Sequence, residues 1–158
     1  MNRDILNKTL DNLFNQPVNI IEEPWHYLSP FSAHEINIWG EVFKTHEHAY
    51  QASRLQPGAE RDSVKNAKSP LQAWLLAQEY KANKDVFIDH SREKLEEITE
   101  ELFRAKAQQH EDVQEILKRL KGRGILKVFG SDANWGTGRD ASGKNFMGKL
   151  WMKIAEEL

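Results

Sequence analysis

Residues 135–145 form a glycine-rich segment whose residue types suit the binding of a nucleotide-like ligand. Glycine lets the backbone approach a ligand closely, the indole of Trp135 offers a stacking face, and cationic side chains can meet phosphate. Asp and Asn side chains can bond ribose hydroxyls. Because glycine and aspartate also mark ordinary turns, a purely structural loop is the alternative interpretation. The candidate ligand-binding residues of this segment are Trp135, Gly136, Gly138, Arg139, Asp140, Lys144 and Asn145.

The same segment comes within one residue of the phosphate-binding loop of NTPases. Gly138, Gly143 and Lys144 match the Gly-x-x-x-x-Gly-Lys core of that loop. Asn145, however, stands where the loop needs a Ser or Thr hydroxyl to coordinate magnesium. The NTPase loop also joins a buried strand to a helix, whereas residues 130–134 read as a turn. We therefore exclude an NTPase.

Lys106 is a second candidate for chemistry, because it interrupts the apolar face of the strongest predicted helix, Ser91 to about Gln108. A lysine there either extends its ammonium to solvent at the edge of the core, which is the more common outcome, or lies in an internal polar site. Burial would lower its pKa and suit it to imine formation or to binding an anion. At about 100° per residue its side chain projects among four apolar residues, which are Leu95, Ile98, Leu102 and Phe103.

A third group lies on the helix predicted from His46 to about Leu55, with Thr45 as its N-cap. Glu47 falls in the first turn, where the helix dipole favours an anion. Tyr50 and Arg54 follow on the same face, so an acid, an aromatic ring and a cation could line a pocket. A buried Glu47 could act as a general acid or stabilise an oxocarbenium ion. An exposed first-turn glutamate is the plain alternative.

The composition excludes several other classes of protein. A net charge of −2 gives no basic field, so no stable binding of duplex nucleic acid is expected. The absence of cysteine excludes disulfides, thiolate zinc sites and cysteine nucleophiles. His46 and His48 would lie about 200° apart on a helix and cannot share an ion, so we expect neither a metal site nor a cofactor. Without a membrane-spanning apolar run or a signal-peptide core, the chain is predicted to be cytoplasmic, with no membrane contact.

The elements that must position these residues are mostly helices. Further helices are predicted over Asp4 to Phe14, from Ser69-Pro70 onward, over Asp112 to Lys121 and over Asn145 to Glu157. Short strands are predicted at Val18 to Ile21, across Ile36 to Phe43 with a tight turn or bulge at Gly40, and at Ile125 to Phe129. The predicted class is α+β, a mostly helical single domain with a few short strands.

Four segments of the sequence together resemble the NADAR (YbiA-like) superfamily. Three of them are Leu-Ser-Pro-Phe at 28–31, Thr-His-Glu-His-Ala-Tyr-Gln-Ala at 45–52 and Arg-Ala-Lys-Ala-Gln-Gln-His at 104–110. The fourth is the most specific, and it runs from Asp132 through Trp-Gly-Thr-Gly at 135–138 to Met152. The segments follow the family order. We predict an N-terminal helical extension over residues 1–22 and a NADAR-like domain over residues 23–158.

This resemblance implies a small α+β fold and hydrolysis of the N-glycosidic bond to a phosphorylated ribose. Family activities include cleavage of ribosylaminopyrimidine phosphates of riboflavin synthesis and removal of ADP-ribose from guanine bases. The implied partner is a small-molecule ribosyl phosphate or an ADP-ribosylated nucleobase. The alternative function is a non-catalytic ADP-ribose or NAD sensor, and an interaction domain without a ligand is a third. The oligomeric state is open.

The resemblance also implies catalytic roles for Glu47, Lys106 and Asp132. Glu47 would protonate the departing nitrogen or stabilise the oxocarbenium ion, and Lys106 could instead trap the opened ribose as an imine. Asp132 or Asp140 would orient water or ribose hydroxyls. Where the family often carries a glutamate ahead of the closing motif, this chain has Lys127.

The remaining candidate residues would bind the substrate. Trp135 and Tyr50 are expected to flank the base or the ribose, because an aromatic face can stack on either. The phosphate is expected to meet cationic side chains, for which the candidates are Arg54, Arg139 and Lys144.

Overall fold

The computed structural model describes residues 2–5 and 15–158, so most of the helix predicted over Asp4 to Phe14 lies outside the described residues. The short strands and more numerous helices of the described part confirm the predicted α+β class. In chain order the elements are β1 (Val18–Asn19), a 3₁₀ helix (Trp25–Leu28), β2 (Ile36–Ile38), β3 (Glu41–Phe43), α1 (His46–Ala52), α2 (Ala59–Lys65), α3 (Pro70–Tyr80), α4 (Arg92–Gln109), α5 (Glu111–Leu120), β4 (Ile125–Leu126) and α6 (Phe146–Glu157).

The chain divides into two compact units. The central unit is Tyr27–Val113, and the terminal unit combines Met1–His26 with Gln114–Leu158. The strand β1 belongs to the segment predicted as an N-terminal extension, and the boundary between residues 22 and 23 stays a prediction. No described helix combines the length and the apolar character that a membrane crossing requires.

The central unit opens with the hairpin of β2 and β3, which confirms the turn predicted at Gly40. The two strands are antiparallel, and Ile36 pairs with Phe43. Trp39 and Gly40 link them with φ angles of 54° and 76°, the left-handed conformation that a two-residue hairpin turn requires and that glycine adopts without strain. Ile36 and Phe43 are fully buried, so the hairpin places one apolar edge in the core.

Side-chain caps fix where the helices of the central unit begin. The Thr45 side chain accepts a hydrogen bond from the backbone amide of His48, Ser69 from Gln72, and Ser91 from Lys94. Each cap satisfies an amide that has no partner within the helix. The helix α3 also begins with a proline at its first turn, as predicted.

The helix α1 is buried along its whole length, including its polar residues. The helix α4 buries the predicted apolar stripe through Ile98, Leu102 and Phe103. In contrast, α3 buries only two alanines and exposes Leu71, Trp74 and Leu75. The central unit therefore carries two helices, α1 and α4, that bring polar side chains into its core.

The terminal unit is built around the parallel pair of β1 and β4, in which Val18 lies opposite Ile125. The strand predicted over Ile125 to Phe129 ends early, at Leu126. Beyond Leu126 the backbone of Lys127 bonds residues of the glycine-rich segment. The Lys127 amide donates to the Asn145 side chain at 3.0 Å, and the Lys127 carbonyl accepts from the Thr137 amide at 2.9 Å.

Gly148 lets α6 pack against β4, and Gly148→Ala tests that contact. A Cβ atom at this position would overlap the carbonyl oxygen of Ile125 and the side-chain amide of Asn145. Alanine in a helix interior normally gains about 1 kcal/mol over glycine, but overpacking costs about 1–3 kcal/mol. We expect a net loss of stability in urea denaturation.

Gly130→Ala is the matched control for that substitution. The nearest atom to a Cβ at Gly130 is a side-chain carbon of Arg139 at 3.8 Å, an ordinary van der Waals contact. The control should unfold at the urea concentration of the unmodified protein. Equal midpoints for both variants would contradict the close packing of α6 on β4.

Candidate active site

Glu47 lies in the buried first turn of α1, so the alternative of an exposed glutamate is wrong. Glu47 is 7% exposed. The side-chain amide of Gln51, one helical turn later, donates to Oε1 at 2.7 Å. The backbone amide of Glu47 donates to the carbonyl of Pro30 at 3.1 Å. The carboxylate is therefore held in a defined orientation inside the protein, and Gln51 is a partner that the sequence analysis did not identify.

Lys106 is 1% exposed and does not reach solvent, so the expectation that it snorkels is wrong. Its Nζ donates to the carbonyl oxygen of Ser29 at 2.9 Å and to the hydroxyl of Ser32. Burial lowers the pKa of Lys106 to about 7, and the negative charge of Asp112 opposes that shift. Near neutral pH a large fraction of Lys106 therefore carries a neutral amine, and this is the form that reacts as a nucleophile.

The segment Leu28–Ser32 contacts both Glu47 and Lys106. Two consecutive carbonyl groups of this segment accept their hydrogen bonds: Ser29 from the Lys106 ammonium and Pro30 from the Glu47 amide. One short stretch of backbone thereby holds the side chain of Lys106 and the main chain of Glu47. The family resemblance covered residues 28–31, but sequence reasoning did not identify Ser29 and Ser32 as contact residues.

Tyr50 lies on α1, and Arg54 lies two residues beyond the end of that helix. Tyr50 is 7% exposed, and the imidazole of His46 stacks on its ring with 6.2 Å between centroids. The guanidinium of Arg54 lies 5.7 Å from the Tyr50 ring centroid and 4.9 Å from that of Phe87. Both distances fall within the range of a cation–π interaction. The helix predicted to reach about Leu55 ends at Ala52, so Glu47 and Tyr50 share α1 as predicted, whereas Arg54 lies just beyond its end.

A cluster of His34, His110 and Asp112 lies in the same unit and was not predicted. Their ligand-type atoms all fall within 4.8 Å of one another. His34 Nε2 lies 2.8 Å from a carboxylate oxygen of Asp112, and His110 Nε2 lies 2.5 Å from the carbonyl of Glu35. Because these atoms already have protein partners, we interpret the group as a hydrogen-bonded cluster. The sequence separation of 78 residues between His34 and Asp112 explains why no local spacing identified it.

The glycine-rich segment of the terminal unit is held together by its own backbone. The Gly138 amide donates to Asp132, the Gly143 amide to Thr137, and the Asn145 amide to Gly136, at 2.7–3.0 Å. A Cβ atom at Gly136 or Gly143 would come within 2.6 Å of other backbone atoms. Glycine at these two positions thus permits backbone to pack on backbone.

Asp132 and Asn145, two of the predicted site residues, also hold this segment in shape. Asp132 Oδ1 accepts from the amides of Asn134 and Trp135, and Oδ2 accepts from the Lys127 ammonium at 2.8 Å. Burial acts to raise the pKa of Asp132, but the Lys127 hydrogen bond and charge, with the two amides, lower it overall. The Asn145 amide bridges the carbonyl of Ile125 and the amide of Lys127.

The other predicted residues of the segment differ in exposure. Trp135 is half-buried, and its ring meets that of Phe146 edge-on with 5.5 Å between centroids. Arg139, Asp140 and Lys144 are exposed. The Asp140 carboxylate accepts from the backbone amide and the hydroxyl of Ser142, which lowers its pKa and closes a local turn. Two cations and one aromatic ring of this segment therefore remain at its surface.

The predicted site residues consequently form one group in each unit. In the central unit Glu47 and Tyr50 lie on α1 and Arg54 follows its end, while the Lys106 side chain and the main chain of Glu47 both contact the segment Leu28–Ser32. The residues from Asp132 to Asn145 belong to the terminal unit. Each group has a defined internal geometry.

The sequence model of the NADAR domain family matches residues 14–158, and the chain belongs to this family. The chain is 28% identical to N-glycosidase YbiA of Shigella flexneri over 131 residues, which cover 82% of this chain and 79% of that protein. It is 27% identical to an N-glycosidase of Nostoc punctiforme, covering 86% of this chain and 87% of the other. These relatives support an N-glycosidase type of enzyme.

A riboflavin biosynthesis protein of Vibrio vulnificus is 27% identical over 150 residues, which are 93% of this chain but 40% of that longer protein. The fold is shared with a solved structure. The NMR structure of Escherichia coli YbiA superimposes with a TM-score of 0.77 at 24% identity, covering 90% of this chain and 84% of the other. This likeness supports the α+β fold predicted from the sequence.

Proposed function

We propose that this chain hydrolyses the N-glycosidic bond of a phosphorylated ribosyl substrate. The observation that carries the proposal is that one segment, Leu28–Ser32, contacts both a buried glutamate, through the backbone amide of Glu47, and the buried amine of Lys106, whose pKa is lowered. N-glycoside cleavage needs a group that assists departure of the base and a group that reacts with the electron-poor C1 of ribose. Glu47 and Lys106 supply these two functions.

Glu47 is assigned the role of assisting departure of the base. As a carboxylic acid it would protonate the leaving nitrogen, and as a carboxylate it would stabilise the oxocarbenium ion that forms at C1. Its orientation supports this role, because Gln51 fixes Oε1 at 2.7 Å. Exclusion of water strengthens either interaction, since a charge acts over a lower effective dielectric constant inside the protein.

Lys106 is assigned the role of reacting with the opened ribose. In the ring-opened substrate, in which C1 is doubly bonded to the nitrogen of the base, its neutral amine would add to C1 and expel the base as a free amine, which leaves an imine between Lys106 and the sugar. Water would then add to C1, release the sugar as its aldehyde and restore the amine. The alternative role is purely structural, in which the ammonium holds the Leu28–Ser32 segment. The lowered pKa supports the reactive role, because an ordinary lysine is almost wholly protonated at neutral pH.

The remaining candidates are proposed to bind the substrate. Tyr50 offers a ring for stacking, and Arg54, a half-buried cation, is a candidate for phosphate. Trp135, Arg139 and Lys144 are proposed to contribute stacking and charge from the glycine-rich segment. Two further candidates, Asp132 and Asn145, are proposed to act by keeping that segment in shape, because their side chains bond its backbone.

Substrate assays with a parallel binding measurement test this function. The purified protein is incubated with a ribosylaminopyrimidine phosphate and with ADP-ribosylated guanine, and the free base is measured by liquid chromatography. We expect base release from at least one of them. Calorimetry with ADP-ribose distinguishes the alternatives: a sensor binds it but releases no base from either substrate, and an interaction domain neither binds nor releases.

A further inference from the structure

A chain of four polar side chains runs from Lys106 to the protein surface. The Lys106 ammonium donates to the Ser32 hydroxyl, and Ser32 Oγ lies 2.8 Å from His34 Nδ1. His34 Nε2 lies 2.8 Å from the Asp112 carboxylate. Ser32 and His34 are buried, whereas the Asp112 side chain is 51% exposed. The chain therefore leads from the interior to solvent without interruption.

The hydrogen atoms of this chain can be ordered in one direction. An ammonium only donates and a carboxylate only accepts, so Lys106 donates to Ser32 and His34 Nε2–H donates to Asp112. Neutral His34 then has Nδ1 as an acceptor, which receives the Ser32 hydroxyl hydrogen. Ser32 also lies 3.1 Å from the carbonyl of Tyr27, an alternative acceptor for that hydrogen.

We propose that Ser32, His34 and Asp112 form a proton relay that removes one proton from the Lys106 ammonium before its amine reacts. This relay rests on the proposed function, because it prepares the amine assigned to reaction at C1. In the transfer, Ser32 takes a proton from Nζ and passes its own to His34 Nδ1. His34 passes the Nε2 proton to Asp112, which releases it to water. Lys106 ends neutral, and no other group changes its charge.

The charges around the relay fix the resting protonation states of its members. Burial lowers the pKa of His34, and the Asp112 hydrogen bond opposes that change while the charge of Lys106 reinforces it. For Asp112, burial acts to raise the pKa, but the hydrogen bond from His34 lowers it overall. His34 thus rests neutral and Asp112 ionised, ready to accept a proton.

Other titratable groups around the relay come from the neighbouring elements. The Tyr27 ring meets His34 edge-on at 5.4 Å from the 3₁₀ helix. His110, which directly follows α4, meets His34 at 4.8 Å, and its charge lowers the pKa of both His34 and Asp112. Glu47 is the buried acid of α1, the helix packed against α4. None of these groups occupies a position between Ser32, His34 and Asp112 in the hydrogen-bonded chain.

Proton exchange of the Lys106 ammonium with solvent tests the relay without any substrate. Lysine is labelled with ¹⁵N at Nζ, and the Lys106 signal is assigned by its loss in Lys106→Met. We expect Asp112→Asn to slow the exchange about tenfold or more, because an amide cannot take up the proton. Removing the negative charge of Asp112 would on its own lower the pKa of Lys106 and speed proton loss, so slower exchange has no electrostatic explanation.

Glu111→Gln is the matched control, because Glu111 is the exposed acid next to Asp112 and lies outside the chain of hydrogen bonds. It should leave the exchange rate unchanged. His34→Gln, which keeps a polar side chain but cannot relay, should slow exchange as Asp112→Asn does. Unchanged or faster exchange in Asp112→Asn overturns the relay. Slow exchange in that variant, together with no base release by the unmodified protein, retains the relay and rejects the proposed function.

Discussion

Glu47→Gln should lower the rate of base release by about 10²-fold or more, the usual effect of removing a general acid. Glutamine keeps the shape of the side chain and an oxygen that can accept from Gln51, but it has neither a transferable proton nor a negative charge. The protein should remain folded, because the contact with Gln51 at 2.7 Å can be retained. The measurement is the rate of base release under saturating substrate, with circular dichroism as the check on folding.

Glu93→Gln provides the comparison for that variant, since Glu93 is also a first-turn glutamate but is exposed on α4. Its rate of base release should equal that of the unmodified protein. A folded Glu47→Gln variant that also turns over at the unmodified rate would remove Glu47 from the mechanism.

Lys106→Met should abolish base release and remove a characteristic pH dependence of stability. Below about pH 7 the lysine holds its proton in the folded and unfolded states, and above its ordinary pKa of 10.5 it holds it in neither. Between these values only the unfolded state is protonated, so the free energy of unfolding rises with pH. The slope from one proton is at most about 1.4 kcal/mol per pH unit.

Urea denaturation between pH 7 and pH 10 measures this slope, and the difference between the two proteins isolates Lys106 from other titrating groups. Lys94→Met is the control, because Lys94 lies on the same helix with its side chain 49% exposed. We expect the control to keep both the slope and the activity. If Lys106→Met keeps the slope of the unmodified protein, then Lys106 is not titrating as a buried amine. If it keeps its activity, then Lys106 does not react with the sugar.

Local patterns predicted most of the described helices, because helix formation depends on residues close in sequence, but the helix α2 (Ala59–Lys65) was not predicted. Thr45 and Ser69 cap α1 and α3 as predicted, Ser91 is the cap rather than the first residue of α4, and the Gly40 turn joins β2 to β3. The strand after Ile125 was predicted too long, since its backbone partners beyond Leu126 come from a loop about ten residues or more downstream. Such partners leave no local periodicity in the sequence.

The candidate site could be predicted in its residues but not in its connections. The sequence identified Lys106 as an anomaly on an apolar face, yet its burial depends on Ser29 and Ser32, which lie 77 and 74 residues earlier. A tertiary contact therefore decides whether the Lys106 ammonium extends to solvent or lies in an internal polar site. Likewise, glycines that predict close approach to a ligand proved, at Gly136 and Gly143, to permit close approach of backbone to backbone.

The stoichiometry of the products tests the central claim most directly. The protein, in excess over either a ribosylaminopyrimidine phosphate or ADP-ribosylated guanine, is followed through a single turnover, and both products are quantified by mass spectrometry. The proposed hydrolysis predicts one free base and one free ribosyl phosphate for each substrate molecule consumed. Recovery of both substrates intact from folded protein would contradict the assignment of this chain as an N-glycosidase.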